Sequence, residues 1–158
     1  PLFGWYLGAV EQISINRSSG STALTQVTNG VAEFLRLGRR ILIFPEGTRR
    51  PVGAPPAYKY GVTHLYTTLN ARVMPVALNT GLFWPRRSFL RNPGVAVIEF
   101  LPVIEPGLPR EEFARRLEES VENGVRTLVD EALRADPALS ALVQAPDIEQ
   151  RADARKSA

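Results

Sequence analysis

Two rhythms of apolar and polar positions run along the chain and divide it into strands and helices. From Val10 to Asn16 (Val-Glu-Gln-Ile-Ser-Ile-Asn), Ile13 and Ile15 alternate with polar residues, the period of a strand with unlike faces. After Gly20, residues Leu24, Val27, Val31, Phe34 and Leu35 fall at helical spacing, and Gly38 supplies a stop. Arg40 to Phe44 is a short, continuous apolar strand of the kind buried on both faces. Gly53, Pro55 and Pro56 mark an irregular loop. A second helix is predicted from about Gly61 to Asn70, with Leu65 and Leu69 one turn apart. Val73 to Leu78 reads as a buried strand in which Pro75 implies an edge, a bulge or a strand start. Val95 to Phe100 is a further strand, followed by a proline-rich connection, Pro102 to Pro109. A long helix starts near Pro109, and Phe113, Leu117, Val121, Val125 and Leu128 form one stripe along it. Beyond Asp136-Pro137 the tail is rich in alanine and charge without a pattern, and is expected to fray.

Strands alternating with helices predict an α/β layered domain with a largely parallel central sheet flanked by helices. No internal repeat and no long linker divides it, so one domain is expected over 1–135, with 136–158 as the tail. At 158 residues, 44% hydrophobic and 22% charged, the chain can bury one sizeable core and is not disordered. Its lack of cysteine excludes disulfides, a thiolate nucleophile and Cys-based metal sites. A single histidine, His64, leaves no multi-histidine site, so no metal is expected. No apolar run approaches ~18 residues, the length that would span a membrane. The chain starts at Pro1 with no signal-peptide pattern, and a fragment of a longer protein is the expectation.

The net charge of +3 hides a segregation of signs. Residues 1–91 hold eleven Lys and Arg against three Glu, a charge of +8, and residues 92–158 carry −5. A basic half suits an anionic partner such as phosphate, phospholipid headgroups or nucleic acid.

Candidate chemistry concentrates in Ile41-Leu42-Ile43-Phe44-Pro45-Glu46-Gly47-Thr48-Arg49, where a buried strand would deliver the chain to a turn. In α/β sheets, ligands gather beyond the carboxyl ends of strands. Gly47 allows close backbone approach or positive φ, Thr48 offers a hydroxyl and an amide, and Arg49 presents a planar fork that matches two phosphate oxygens. Glu46 orients an arginine, accepts a hydrogen bond from a substrate hydroxyl, or organises its own loop.

Phe44-Pro45-Glu46-Gly47-Thr48-Arg49 resembles the third signature block of the glycerolipid acyltransferases, specifically the 1-acyl-glycerol-3-phosphate (lysophosphatidate) acyltransferases. Three further stretches fit that family in order: Gly8 through Asn16-Arg17, Tyr58-Lys59-Tyr60-Gly61, and Val73-Met74-Pro75-Val76-Ala77. The resemblance implies acyl transfer from a thioester, on coenzyme A or acyl carrier protein, to the free hydroxyl of lysophosphatidate, giving phosphatidate. No cofactor is implied beyond that co-substrate. Arg17 and Arg49, with Lys59 as a helper and Glu46, Gly47 and Thr48 around them, would form the site for the acceptor's phosphate. The location implied is the cytoplasmic face of a membrane, the inner one in a bacterium.

Two departures bear on the reading. The family's His-x-x-x-x-Asp block is absent: five residues after His64 stands Leu69, and no aspartate precedes Asp130. No catalytic residue is therefore assigned within this chain, and the dyad is expected upstream of Pro1. His64 reads as a packed or surface residue rather than a catalytic one. The second departure is Asn16, which stands where the family usually has an acid before its arginine.

Leu82 to Arg91 combines five large apolar groups with three arginines. Phe83, Trp84, Arg86, Arg87 and Phe89 suit the lipid–water interface, aromatic rings at headgroup depth and arginines on lipid phosphates; the alternative is a loop whose aromatics fold into the core. The competing function is a non-catalytic phosphate- or lipid-binding α/β module. Nucleic acid is not expected as a partner, because phosphate-loop, dinucleotide, RNA-binding and zinc-finger fingerprints are all missing.

Overall fold

The computed structural model describes residues 20–85, 89 and 91–143. Helix α1 spans Gly20–Arg36. It ends where Gly38 takes φ +75°: the Gly38 N–H donates to the Leu35 carbonyl and the Arg39 N–H to the Phe34 carbonyl, each at 2.9 Å. That pair of bonds satisfies carbonyls a helix end otherwise leaves open. Helix α2 spans Tyr60–Leu69 and stops at Asn70, which adopts the left-handed conformation a helix end favours.

Strand β1, Val76–Leu78, pairs antiparallel with β2, Ile98–Phe100, in the register Val76↔Phe100, Ala77↔Glu99, Leu78↔Ile98. Val73 and Ile104 extend the pairing through two mutual bonds of 3.0 and 2.8 Å. Between the bridge and the strands, the second chain carries one residue more than the first, the count of a β-bulge. Pro75 sits there, unable to donate, while its carbonyl accepts from the Leu101 N–H at 3.0 Å. Pro75 stands immediately before β1 and faces the strand that carries the extra residue, so the strand-start and bulge settings expected for it coincide. One antiparallel pair neither builds nor excludes the largely parallel sheet expected from the alternation of elements.

A single turn, α3 (Thr80–Phe83), follows β1. Helix α4, Arg110–Ala135, starts directly after Pro109, with Glu111 and Glu112 in its first turn and Arg134 in its last, the charge order that suits the helix dipole. It is the spine of the molecule. Its first half buries Phe113 and Leu117 against Tyr66 and Ile104, and its second half buries Val129 against Leu82, Phe83 and Leu139. The rings of Tyr66 and Phe113 stack with centroids 3.7 Å apart. The Tyr66 hydroxyl donates to the Glu105 carbonyl and accepts from the Leu108 N–H. Midway, α4 lies so close to β1 that a Cβ on Gly124 would stand 2.7 Å from that of Ala77.

Two expectations change. The tail does not fray at 137–142: Pro137–Leu142 forms a 3₁₀ helix whose start is capped by the Asp136 carboxylate, which accepts from the Ala138 N–H. Leu139 anchors it by packing against Leu82, Phe83 and Val129. Residues 41–44 join no ladder among the described residues, and Leu42 (76% exposed) and Phe44 (68%) are not buried. A strand needs a pairing neighbour to bury its faces, and the predicted strand Val10–Asn16 lies outside the described residues.

Candidate functional site

The candidate site is a turn held at several points. The Gly47 N–H donates to the Phe44 carbonyl at 3.0 Å, and Gly47 takes φ +67° with open space where a Cβ would lie. Its glycine therefore serves backbone conformation, not close packing. Pro45 presets the chain at the turn's second position.

Glu46 organises this loop. Its Oε1 accepts from the Ala57 N–H at 2.9 Å and lies 3.7 Å from Arg50 Nε. The Lys59 N–H donates to the Pro45 carbonyl at 2.8 Å, so the 45–50 turn and the 57–59 segment run side by side. The Glu46 bond to Ala57 holds the loop together, and the arginine within ion-pair distance of that carboxylate is Arg50, not Arg49. Sequence reasoning passed over Arg50, although it directly follows Arg49.

Arg49 and Thr48 are exposed, and among the described residues neither has a hydrogen bond or ion pair. Lys59 is exposed beside them at the head of α2. The turn thus carries Arg49 and Arg50, Lys59 lies on the segment bonded to it, and the Glu46 carboxylate is engaged with Ala57 and Arg50. Arg17 lies outside the described residues.

Tyr58, between Ala57 and Lys59, packs its ring against the Tyr66–Phe113 cluster and donates its hydroxyl to Glu122 Oε1 on α4 at 3.0 Å. Burial, then the Glu122 charge, pushes the phenol well above its ordinary range, so it stays a donor. The Glu122 carboxyl is also pushed up, by burial first and then by Glu46 and Glu118, against the opposing pull of the Tyr58 hydrogen bond.

His64 is engaged within the fold. Its Nε2 lies 3.2 Å from Thr28 Oγ1, and that hydroxyl already donates to the Leu24 carbonyl. The threonine oxygen therefore accepts, the imidazole donates from Nε2, and the bond ties α2 to α1. Its ring also packs at a tilt against Tyr60.

The Leu82–Arg91 stretch divides. Phe83, expected at the lipid interface, is instead 8% exposed and part of the core. The chain turns back over it, with the Asn92 N–H donating to the Phe83 carbonyl, and Gly94 lies against the ring where no Cβ would fit. Trp84 is 53% and Phe89 fully exposed. The Arg91 guanidinium lies 3.9 Å from the Trp84 ring centroid and donates to the Phe89 carbonyl. Arg86 and Arg87 lie outside the described residues. Among the described residues, no helix is long and apolar enough to cross a membrane, and no group of acidic or histidine side chains is placed to hold a metal ion.

No solved structure matches the chain. It is 38% identical over 104 residues to a 1-acyl-sn-glycerol-3-phosphate acyltransferase of Pseudomonas aeruginosa, covering 66% of this chain and 40% of that protein. Proteins of the same name from Limnanthes alba and Cocos nucifera are 29% and 26% identical over 105 and 106 residues, again 66% of this chain but 37% and 34% of theirs. The chain spans about two fifths or less of the length of these curated relatives. Residues 1–79, which include the Phe44–Arg49 turn, Lys59 and β1, match the family model described as Acyltransferase. By that match, the chain belongs to the Acyltransferase family.

Proposed function

We propose that this chain forms the acceptor side of an enzyme that moves an acyl group from a coenzyme A or acyl-carrier-protein thioester to the free hydroxyl of lysophosphatidate. The observation that carries the reading is Arg49: an exposed guanidinium without a partner among the described residues, on a turn fixed by Gly47 and Glu46. Such a fork binds two oxygens of a phosphate monoester, and Arg50 and Lys59 add positive charge beside it. The relatives' names support the same acceptor class.

In the reaction, the acceptor hydroxyl gives its proton to a base and attacks the thioester carbonyl. The new C–O ester bond forms, the C–S bond breaks, and the thiolate leaves and takes up a proton. This chain's contribution is orientation: gripping the phosphate fixes the distance from headgroup to hydroxyl. The proton-taking residue is assigned to a His-x-x-x-x-Asp pair, which these 158 residues do not contain. The competing reading is a phosphate-lipid-binding module without chemistry, which would use the same exposed Arg49 turn.

The larger setting belongs to the same proposal. The exposed 41–44 segment would add a strand to a layered α/β fold beside Val10–Asn16. Trp84 and Phe89 would dock peripherally on the cytoplasmic face of a membrane. An acylation assay of the full-length protein, with labelled acyl-thioester and lysophosphatidate, tests the function. Labelled phosphatidate supports acyl transfer; lipid binding without product supports the module.

A further inference from the structure

Three consecutive residues fasten the basic turn to the molecule. The Ala57 N–H donates to Glu46 Oε1 and the Lys59 N–H to the Pro45 carbonyl. Between them the Tyr58 hydroxyl reaches across 64 residues of sequence to Glu122 on α4. Among the described residues, no hydrogen bond or ion pair joins the 44–50 turn directly to α4, so its placement relative to that helix runs through 57–59. The Tyr58 ring is held by the core, which leaves its hydroxyl one fixed direction.

The surroundings argue that this bond does more than fill space. Glu46 of the turn and Glu118, one helical turn before Glu122, both act electrostatically on the Tyr58–Glu122 pair. Three carboxylates around one half-buried phenol carry a desolvation and repulsion cost that an apolar pair would avoid. What the polar pair adds is direction: the phenol donates to one oxygen at 3.0 Å, where apolar contacts would let the segment slide.

We propose that Tyr58 and Glu122 are positioning residues for the phosphate site, holding the turn that bears Arg49 and Arg50, and Lys59 on the segment bonded to it, in one register against α4. The inference rests on the phosphate reading above and extends it to a helix beyond the family match, which ends at residue 79.

The test uses the full-length protein, with glycerol 3-phosphate as the probe. Its dissociation constant is measured by calorimetry for the unaltered protein and for Arg49→Ala, Tyr58→Phe, Glu122→Gln and Glu122→Leu. Hydrogen–deuterium exchange across residues 57–59 is followed on the same samples. Tyr58→Phe and Glu122→Leu should each weaken binding by about five- to tenfold and speed that exchange. Glu122→Gln, whose amide carbonyl still accepts from the phenol, should stay within about twofold of the unaltered protein, and the Tyr58→Phe/Glu122→Leu pair should be no worse than either alone. Unaltered binding in Tyr58→Phe and Glu122→Leu, with Arg49→Ala weakened, overturns the positioning role. Unaltered binding in Arg49→Ala overturns the phosphate reading itself. If Tyr58→Phe fails to fold, Glu122→Leu measured against Glu122→Gln decides alone.

Discussion

Gly124 and Gly61 both sit inside helices, and the structure predicts opposite signs for the same substitution. Replacing a mid-helix glycine by alanine ordinarily stabilises by about 0.8–1 kcal/mol, because alanine has less backbone freedom to lose. At Gly61, in the first turn of α2, nothing lies within 4 Å of the added methyl, so a gain of about 0.5 kcal/mol should appear. At Gly124 the methyl would stand 2.7 Å from the Ala77 Cβ and 3.3 and 3.4 Å from the two Leu101 methyls. Leu101 can rotate away, but the Ala77 Cβ is fixed to strand backbone, so α4 itself must move off β1. Overpacking of that kind costs about 1–3 kcal/mol, which exceeds the helix gain. The net for Gly124→Ala is a loss of about 1 kcal/mol, and the melting temperature should fall by about 2–4 °C. Urea unfolding followed by far-UV circular dichroism gives both values. A Gly124→Ala protein stabilised as much as Gly61→Ala would show that α4 does not lie on β1 as described.

Other outcomes follow from particular side chains. Tyr66→Phe keeps the stack on Phe113 but strips the hydroxyl that serves the Glu105 carbonyl and the Leu108 N–H, so a loss of about 2 kcal/mol is expected in the same unfolding assay. The Glu122 carboxyl is raised above its ordinary value near 4.5, so the folded form holds that proton where the unfolded chain has released it. Its contribution to stability therefore falls as pH rises from that value through the folded one. The urea midpoint of Glu122→Gln relative to the unaltered protein should rise across that window and stay level above it. Replacing Trp84 and Phe89 by serine should weaken binding to anionic vesicles by about fivefold or more in a sedimentation assay; undiminished binding would remove these two rings from the docking surface.

Much of the helical framework was legible in the chain. The stripe beginning at Phe113 faces the core because helical period alone places it on one side, while in the stripe beginning at Leu24 Val31 is buried and Leu35 is exposed; Gly38 marks the end of the first helix and Pro109 the start of the last. The proline at 75 pointed to an edge, a bulge or a strand start because it lacks the N–H a regular ladder uses, and it stands just before β1 beside the bulge. Other features depended on distant partners. Phe83 lies in a run rich in aromatics and arginines, yet it is buried because the 92–94 segment folds over it. Residues 137–142 show no periodicity, and their place is set by distant contacts, Leu139 packing against Val129 of α4 and against Leu82 and Phe83.

The candidate site divides along the same line. Its motif, Phe44 to Arg49, is local and could be read directly. Arg50's role was hidden because it depends on where the Glu46 carboxylate turns. Glu122 carried no local signal: it is one of several glutamates on α4, distinguished only by the tyrosine that reaches it.

The most direct measurement is the steady-state kinetics of Arg49→Ala in the full-length protein, varying lysophosphatidate and acyl-thioester separately. The account predicts an acceptor KM raised by about tenfold or more, a thioester KM within about twofold of the unaltered value, and partial recovery in Arg49→Lys, which keeps the charge but not the fork. An acceptor KM that does not move would contradict it.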